Sequence, residues 1–292
     1  MQQQTYRYLD RPAFLEGCFF WKGRGYHYAG PVAAQAADVQ AAAGDDPWIA
    51  VAAALEAAKQ GDGSGIAQLR RWVLDEQAAP TLVAACLDLI ADAGRRDDLE
   101  FLAGLMLDGG DGLRIEACQV AQWCGALWLV PYMLEARKAV RRLPDKRTIE
   151  ANVSNLLESV DGEPVLYDGR YDDNEYAELV HARTGELASQ AGTDEVAVFG
   201  GELLDMERMV WCMRKALVNR GRGGWTDWGA FLSWRRKFEP FTGVDCSSFY
   251  SATGEFQPLN ATVVLERYAE DHPHPGFVSG QRYFFGQRVE SA

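Results

Sequence analysis

Seven acids crowd residues 161–178 (Asp161, Glu163, Asp168, Asp172, Asp173, Glu175 and Glu178), with Arg170 as the single base and Tyr167, Tyr171 and Tyr176 interleaved. Carboxylates at this density could hold a divalent cation, or divide into a general acid and a general base. An acid run is also the ordinary composition of a solvated face. The tyrosines point to a third use. Tyrosine supplies contact area at low entropy cost, and carboxylates pair with Arg and Lys across an interface. Asp168, Tyr171, Asp172, Asp173, Glu175 and Tyr176 are therefore the candidate partner-binding residues. A helix is expected to begin near Asp172 or Asp173, because acids in a first turn suit the positive end of the helix dipole.

Other residue types offer less. The four histidines, His27, His181, His272 and His274, include no H-x-x-x-H pair and join no cysteine in a zinc-like set, so no metal site is expected. His272 and His274 alternate with Pro273 and Pro275, which reads as a solvent-facing turn. Gly221-Arg222-Gly223-Gly224 and Gly109-Gly110-Asp111-Gly112 lack the phosphate-loop form and read as turns, so no cofactor is expected. In Asp245-Cys246-Ser247-Ser248 there is no local base to activate a nucleophile, and Asp245 reads as a helix or turn cap. From Trp225 to Lys237, alternating Trp and Arg could stack bases. On a helix, however, Trp228, Phe231, Leu232 and Trp234 form a natural core stripe with Arg235 and Lys237 flanking it.

The totals sharpen this. The chain has 29 Lys and Arg against 42 Asp and Glu, a formal charge of -13 and a pI near 4.8. That balance opposes nucleic acid and anionic lipid as partners and favours a basic one. It also fits a protein that acidity merely keeps soluble. There is no basic n-region before an apolar run and no stretch of about 18 apolar residues, so a soluble, cytoplasmic protein is expected. The six cysteines are scattered, with no C-x-x-C, which fits a reducing compartment.

What would position such an acidic segment is a run of helices before it. Pro47 opens an Ala-dense helix, IAVAAALEAAK, that stops at Gly61. A second is expected over Ile66–Glu76, with Ile66, Leu69, Trp72 and Val73 on one face. The pattern restarts at Pro80 and again at Leu99, then at Leu113, Leu127 and Arg147. Starts at Pro47, Pro80, Leu113 and Arg147 lie 33, 33 and 34 residues apart, a repeat signature in which each helix pair needs neighbours to bury both apolar faces. Further helices are expected over Leu203–Val218, Trp225–Phe238 and Asn260–Ala269. The tail Phe277–Val289 reads as one or two strands.

The helix pairs resemble HEAT-type repeats over Pro47–Val160. The whole chain, with Glu239-Pro240-Phe241 and Arg282-Tyr283-Phe284-Phe285-Gly286 near its end, is similar in style to bacterial immunity proteins that neutralise polymorphic toxins. The resemblance implies a mainly α protein: an aromatic-rich arm over 1–46, a HEAT-like α-solenoid over 47–160, and a mostly helical C-terminal region with short strands over 161–292. It implies a non-enzymatic inhibitor whose partner is a cognate basic toxin, with a nuclease as a fitting target. Two other readings stand beside it. One is a HEAT-like scaffold or adaptor, and the other is a metal-dependent hydrolase using the acids around Asp168–Glu175.

Overall fold

The computed structural model describes Tyr28 and residues 46–159, 162, 164–167, 169–219, 225–251, 255–271 and 276–289, with 225–228 described as backbone only. The expected N-terminal arm, apart from Tyr28, lies outside the described residues, as do Asp161, Glu163 and Asp168. The described chain is mainly helical, with eleven α-helices and two small antiparallel hairpins. It divides into two compact units. The first holds residues up to Gly94, Met206–Phe277 and Tyr283–Val289; the second holds Arg95–Asp205 and Val278–Arg282.

In the first unit, α1 (Pro47–Lys59) starts at Asp46, whose carboxylate accepts from Trp48 N at 2.9 Å, with Pro47 in the first turn where its missing N–H costs nothing. The helix expected over Ile66–Glu76 is shorter. A 3₁₀ turn, Ile66–Leu69, runs into α2 (Arg70–Val73), and Asp75 then accepts from Gln77 N at 2.9 Å to form a competing local turn. Ala79, extended as a residue before proline must be, leads into α3 (Pro80–Ala93). This helix is buried on nearly every side. Leu82, Leu87, Leu89 and Ile90 are all inside, each contributing about 1.5–3 kcal/mol of apolar transfer. The unit continues with α9 (Met206–Asn219), α10 (Trp225–Thr242) and α11 (Pro258–Asp271), and closes with a hairpin of β3 (Tyr283–Phe284) and β4 (Gln287–Arg288).

Pro240 sits inside α10, which therefore runs a turn beyond the expected end at Phe238. The last carbonyls of that helix are not left to water. Phe285 N donates to Pro240 O at 2.7 Å and Gly286 N to Phe241 O at 2.9 Å, so the β3–β4 turn caps the helix. Phe285 and Gly286 both have positive φ, 50° and 75°, as a two-residue type I′ turn demands. Gly243 (φ 77°) leaves no room for a side chain, since a Cβ there would lie 2.8 Å from Phe285 Cδ1.

In the second unit run α4 (Arg96–Asp108), α5 (Asp111–Cys124), α6 (Val130–Ala139, preceded by a 3₁₀ turn at Leu127–Leu129) and α7 (Leu143–Leu157), and each of the first three packs on the next helix and on the next but one. The fourth start falls at Leu143 rather than Arg147, because Pro144 and Asp145 suit a first turn and bring the helix in one turn early. The observed starts at Pro47, Pro80, Asp111 and Leu143 are 33, 31 and 32 residues apart. After them come α8 (Asp173–Ala191) and the hairpin of β1 (Val198–Phe199) and β2 (Glu202–Leu203). Residues 278–282 join this unit through the backbone: Ala197 N donates to Gly280 O at 2.7 Å and Gly280 N to Leu204 O at 2.8 Å. No helix among the described residues is long and apolar enough to cross a membrane.

Gly243→Ala tests the helix-cap arrangement. It adds a methyl group at a positive φ against the Phe285 ring, and is expected to lower the unfolding free energy by about 1–3 kcal/mol. Urea denaturation measures this, and an unchanged midpoint would contradict the capping role of the hairpin turn.

Candidate functional site

The end of the acidic segment folds into the start of α8, where Asp172, Asp173, Glu175 and Tyr176 have work inside the second unit. Asp172 is the N-cap: its Oδ1 accepts from Asn174 N at 2.8 Å and from Glu175 N at 2.9 Å, while Glu175 Oε2 accepts from Asp172 N at 3.2 Å. This is a capping box, satisfying donors that the helix cannot. The sequence pattern Asp172-x-x-Glu175 already encodes it. Asp173, the next residue, forms a charge-assisted hydrogen bond with Arg137 Nη1 and receives Lys146 Nζ at 3.0 Å. These cations, Lys146 foremost, hold its carboxyl below the usual aspartate range.

Arg137 is the centre of the site. It is buried on α6, and its guanidinium meets Glu150 of α7 through Nε at 2.8 Å and Nη2 at 2.7 Å. It also lies 4.2 Å from the centre of the Tyr176 ring. Both bonds fall on Glu150 Oε1, and a planar donor pair converging on one oxygen, with a face on an aromatic ring, is what a guanidinium does better than an ammonium. Tyr176 is 1% exposed, so its contact area is spent within the unit, and burial first, then Glu150, pushes its phenol well above the ordinary value. Tyr171 is half-buried, and Asp172, Glu175 and Glu178 are exposed. Asp168 lies outside the described residues. The structure thus brings Asp172, Asp173, Glu175 and Tyr176 into one helical turn.

Glu158 organises the approach to this helix. Its Oε1 accepts from Val165 N at 2.7 Å and Leu166 N at 3.0 Å, while Ser154 Oγ donates to Oε2 at 2.6 Å. Two turns beyond Tyr176 on the same side of α8, Arg183 donates from Nε to Leu157 O at 2.9 Å and from Nη2 to Gly201 O at 2.8 Å. The helix is therefore anchored at its start and again at its middle, and Glu178 and Glu186 are exposed.

Charge is unevenly spread. Residues 95–205 carry 11 Lys and Arg against 22 Asp and Glu, whereas the rest of the chain carries 18 against 20, so this stretch supplies 11 of the 13 net negative charges. Its exposed acids include Asp97, Glu100, Asp108, Glu135, Glu178, Glu186 and Asp194. A rigid, acidic surface on packed helices can raise the arrival rate of a cationic partner. Among the described residues no group of three His, Cys, Asp or Glu side chains converges as a metal would require. The acids invoked for a hydrolase, Asp172, Asp173 and Glu175, are engaged as cap and ion pair.

A second cluster of buried charge lies in the first unit, where the sequence suggested flanking positions. Arg235 and Lys237 were expected beside a core stripe. Instead Arg235, Arg236, Lys237 and Glu239 are all buried, as are Asp88 and Asp92. Arg236 Nη2 reaches Asp92 Oδ2 at 2.7 Å and Asp88 Oδ1 at 3.5 Å, and Arg235 Nη2 reaches Glu239 Oε2 at 2.9 Å. Tyr28 donates its hydroxyl to Asp92 at 2.8 Å and its backbone N–H to Glu239 at 2.7 Å. For the two arginines the physical reason is pairing, since carboxylates facing from α3 and along α10 supply what a buried cation requires. A signal existed, in that Asp88 and Asp92 sit four apart within an otherwise apolar helix. Nearby, Asp245 accepts from Ser247 N at 2.7 Å, a turn cap, and Cys246 is wholly buried with its thiol pushed well up by desolvation. A raised thiol is a poor nucleophile.

Comparison with protein-family models, with curated proteins and with solved structures finds no match to this chain.

Two measurements probe the site. Arg137→Ala leaves Glu150 buried without its cation and is expected to cost about 3–5 kcal/mol in chemical denaturation, whereas Arg137→Met with Glu150→Leu recovers most of that loss. Asp173 has a lowered folded pKa, so its contribution is present above the ordinary value of 3.8 and is lost as pH falls through the folded one. Asp173→Asn is accordingly expected to flatten the acid limb of the stability curve below that value. Solvent screening keeps the effect at neutral pH under about 1 kcal/mol.

Proposed function

We propose that the protein is an immunity-type inhibitor that binds a basic protein toxin of bacterial origin through the acidic surface of the stretch 95–205. The observation that carries this is the concentration of 11 net negative charges in that stretch, on helices held to one another by the Arg137 pairs with Glu150 and Asp173. Such a surface does not have to be assembled on binding. Association with a cationic enzyme is then steered by charge, while the outward acids of α8 and the half-buried Tyr171 supply contacts at the docked face. A nuclease is a fitting target, because an enzyme that holds a phosphate backbone presents the cationic surface that this one complements. The helix pairs, read as a HEAT-like α-solenoid, serve as the frame that keeps the acids in register. In this reading the protein needs no cofactor and acts in the cytoplasm.

The test is co-expression of the full chain with the toxin-like gene beside its own. Rescue of growth is expected, together with recovery of that gene product in a pull-down from the native host. Replacing Glu178, Glu186 and Asp194 by Lys together is expected to slow association about tenfold at low salt, with the difference shrinking as salt is raised. If neither rescue nor capture occurs, or if the triple variant associates as fast as the parent, the reading fails.

A further inference from the structure

Two exposed stripes run along neighbouring helices of the first unit. On α9, Glu207, Trp211, Arg214 and Val218 recur at steps of four, three and four residues, and on α11, Leu259, Val263, Glu266 and Glu270 recur at the same steps. That spacing keeps each set on one side of its helix. Arg214 Nη2 and Glu266 Oε1 pair at 2.7 Å, so both stripes open to the same side. Four large apolar side chains stand in them at high exposure: Trp211 48%, Val218 73%, Leu259 81% and Val263 65%. A single exposed apolar residue is ordinary, but a group of this size on two packed helices marks an interaction surface.

The Trp211 indole is already held in place. Arg208 lies over the Trp211 ring at 4.4 Å and Lys215 at 5.0 Å. Ordering Trp211 before any partner arrives lowers the entropy cost of using it as an anchor. The charges around the patch divide by helix. The outer part of α9 carries Arg208, Arg214 and Lys215 against Glu207, whereas the C-terminal half of α11 carries Glu266, Glu270 and Asp271 against Arg267.

We infer that this face joins two copies of the chain about a twofold axis, with α9 of each copy lying against α11 of the other. A twofold interface must be complementary to itself, and a patch with one cationic and one anionic helix meets that condition only when the helices cross over. Placing α9 on α9 would oppose like charges. An acidic partner would match α9 alone and a basic partner α11 alone, whereas a second copy matches both. Outside residues 95–205 the chain is nearly neutral, with 18 Lys and Arg against 20 Asp and Glu, so this is the part where two strongly acidic molecules can meet without large repulsion.

Sedimentation velocity on the full chain tests this at about 100 µM, a concentration that populates even a weak standard-sized interface. A species of twice 32.4 kDa is expected. Two charge-reversed variants, Arg208→Glu with Lys215→Glu, and Glu266→Lys with Glu270→Lys, are each expected to weaken self-association at least tenfold. Mixing the two restores a dimer, because each reversed helix then faces its opposite. A monomeric parent, a dimer indifferent to both variants, or a mixture that stays monomeric would overturn the proposal. Should either variant fail to fold, Trp211→Ser with Val263→Ser gives the same decision: tenfold weaker self-association supports the interface and an unchanged dimer refutes it. None of these outcomes depends on whether a toxin is bound.

Discussion

The Arg137 guanidinium, buried between α6 and α7, governs how the acidic part of the chain is displayed. A buried cation must be matched, and here it is matched from two elements at once: Glu150 on the adjacent helix and Asp173 at the head of α8. Tyr176 closes the arrangement by laying its ring against the same guanidinium. The start of α8 is thereby held in place by charge and by packing together. Its capping box and the Glu158-bound loop before it then set where the outward acids begin. Without that fixed start, the carboxylates of 172–178 would be a solvated run with no geometry to offer a partner.

The first unit is held by the same kind of device with different parts. Asp88 and Asp92 face Arg236, Glu239 faces Arg235, and Tyr28 bonds to both carboxylate groups while packing edge-on to Phe284 at 5.5 Å. Buried ion pairs of this sort add little net stability relative to apolar residues, but they penalise every arrangement in which a charge is left alone. Their effect is selection among packings. This is why an amphipathic reading of Trp225–Lys237 put Arg235 and Lys237 at the edge of the core when they lie inside it.

Both units separate interior charge, which fixes the fold, from surface charge, which is available for recognition. The net charge of the chain is itself divided, with 11 of the 13 net negative charges in residues 95–205 and a near balance elsewhere. The proposed attraction of a cationic partner and the proposed contact between two copies need opposite conditions, a strong field and a weak one. The chain supplies each in a different stretch.

Much of the architecture was readable from residue spacing. Pro47 and Pro80 open helices, the starts recur about every 32 residues, and Asp172 with Glu175 spells a capping box, because helix periods and caps are local. Local chemistry also explains the hairpin that went unforeseen at Val198–Leu203, where Gly200 and Gly201 form a two-residue turn between short apolar strands. What spacing could not supply was the partner of each charge. Asp173 pairs with a residue 36 positions earlier and Arg236 with one 144 positions earlier. The identities of Arg, Asp and Glu were written in the chain, but whether each became a surface group or a buried tie was decided by which helix faced which, and only the tertiary structure carries that.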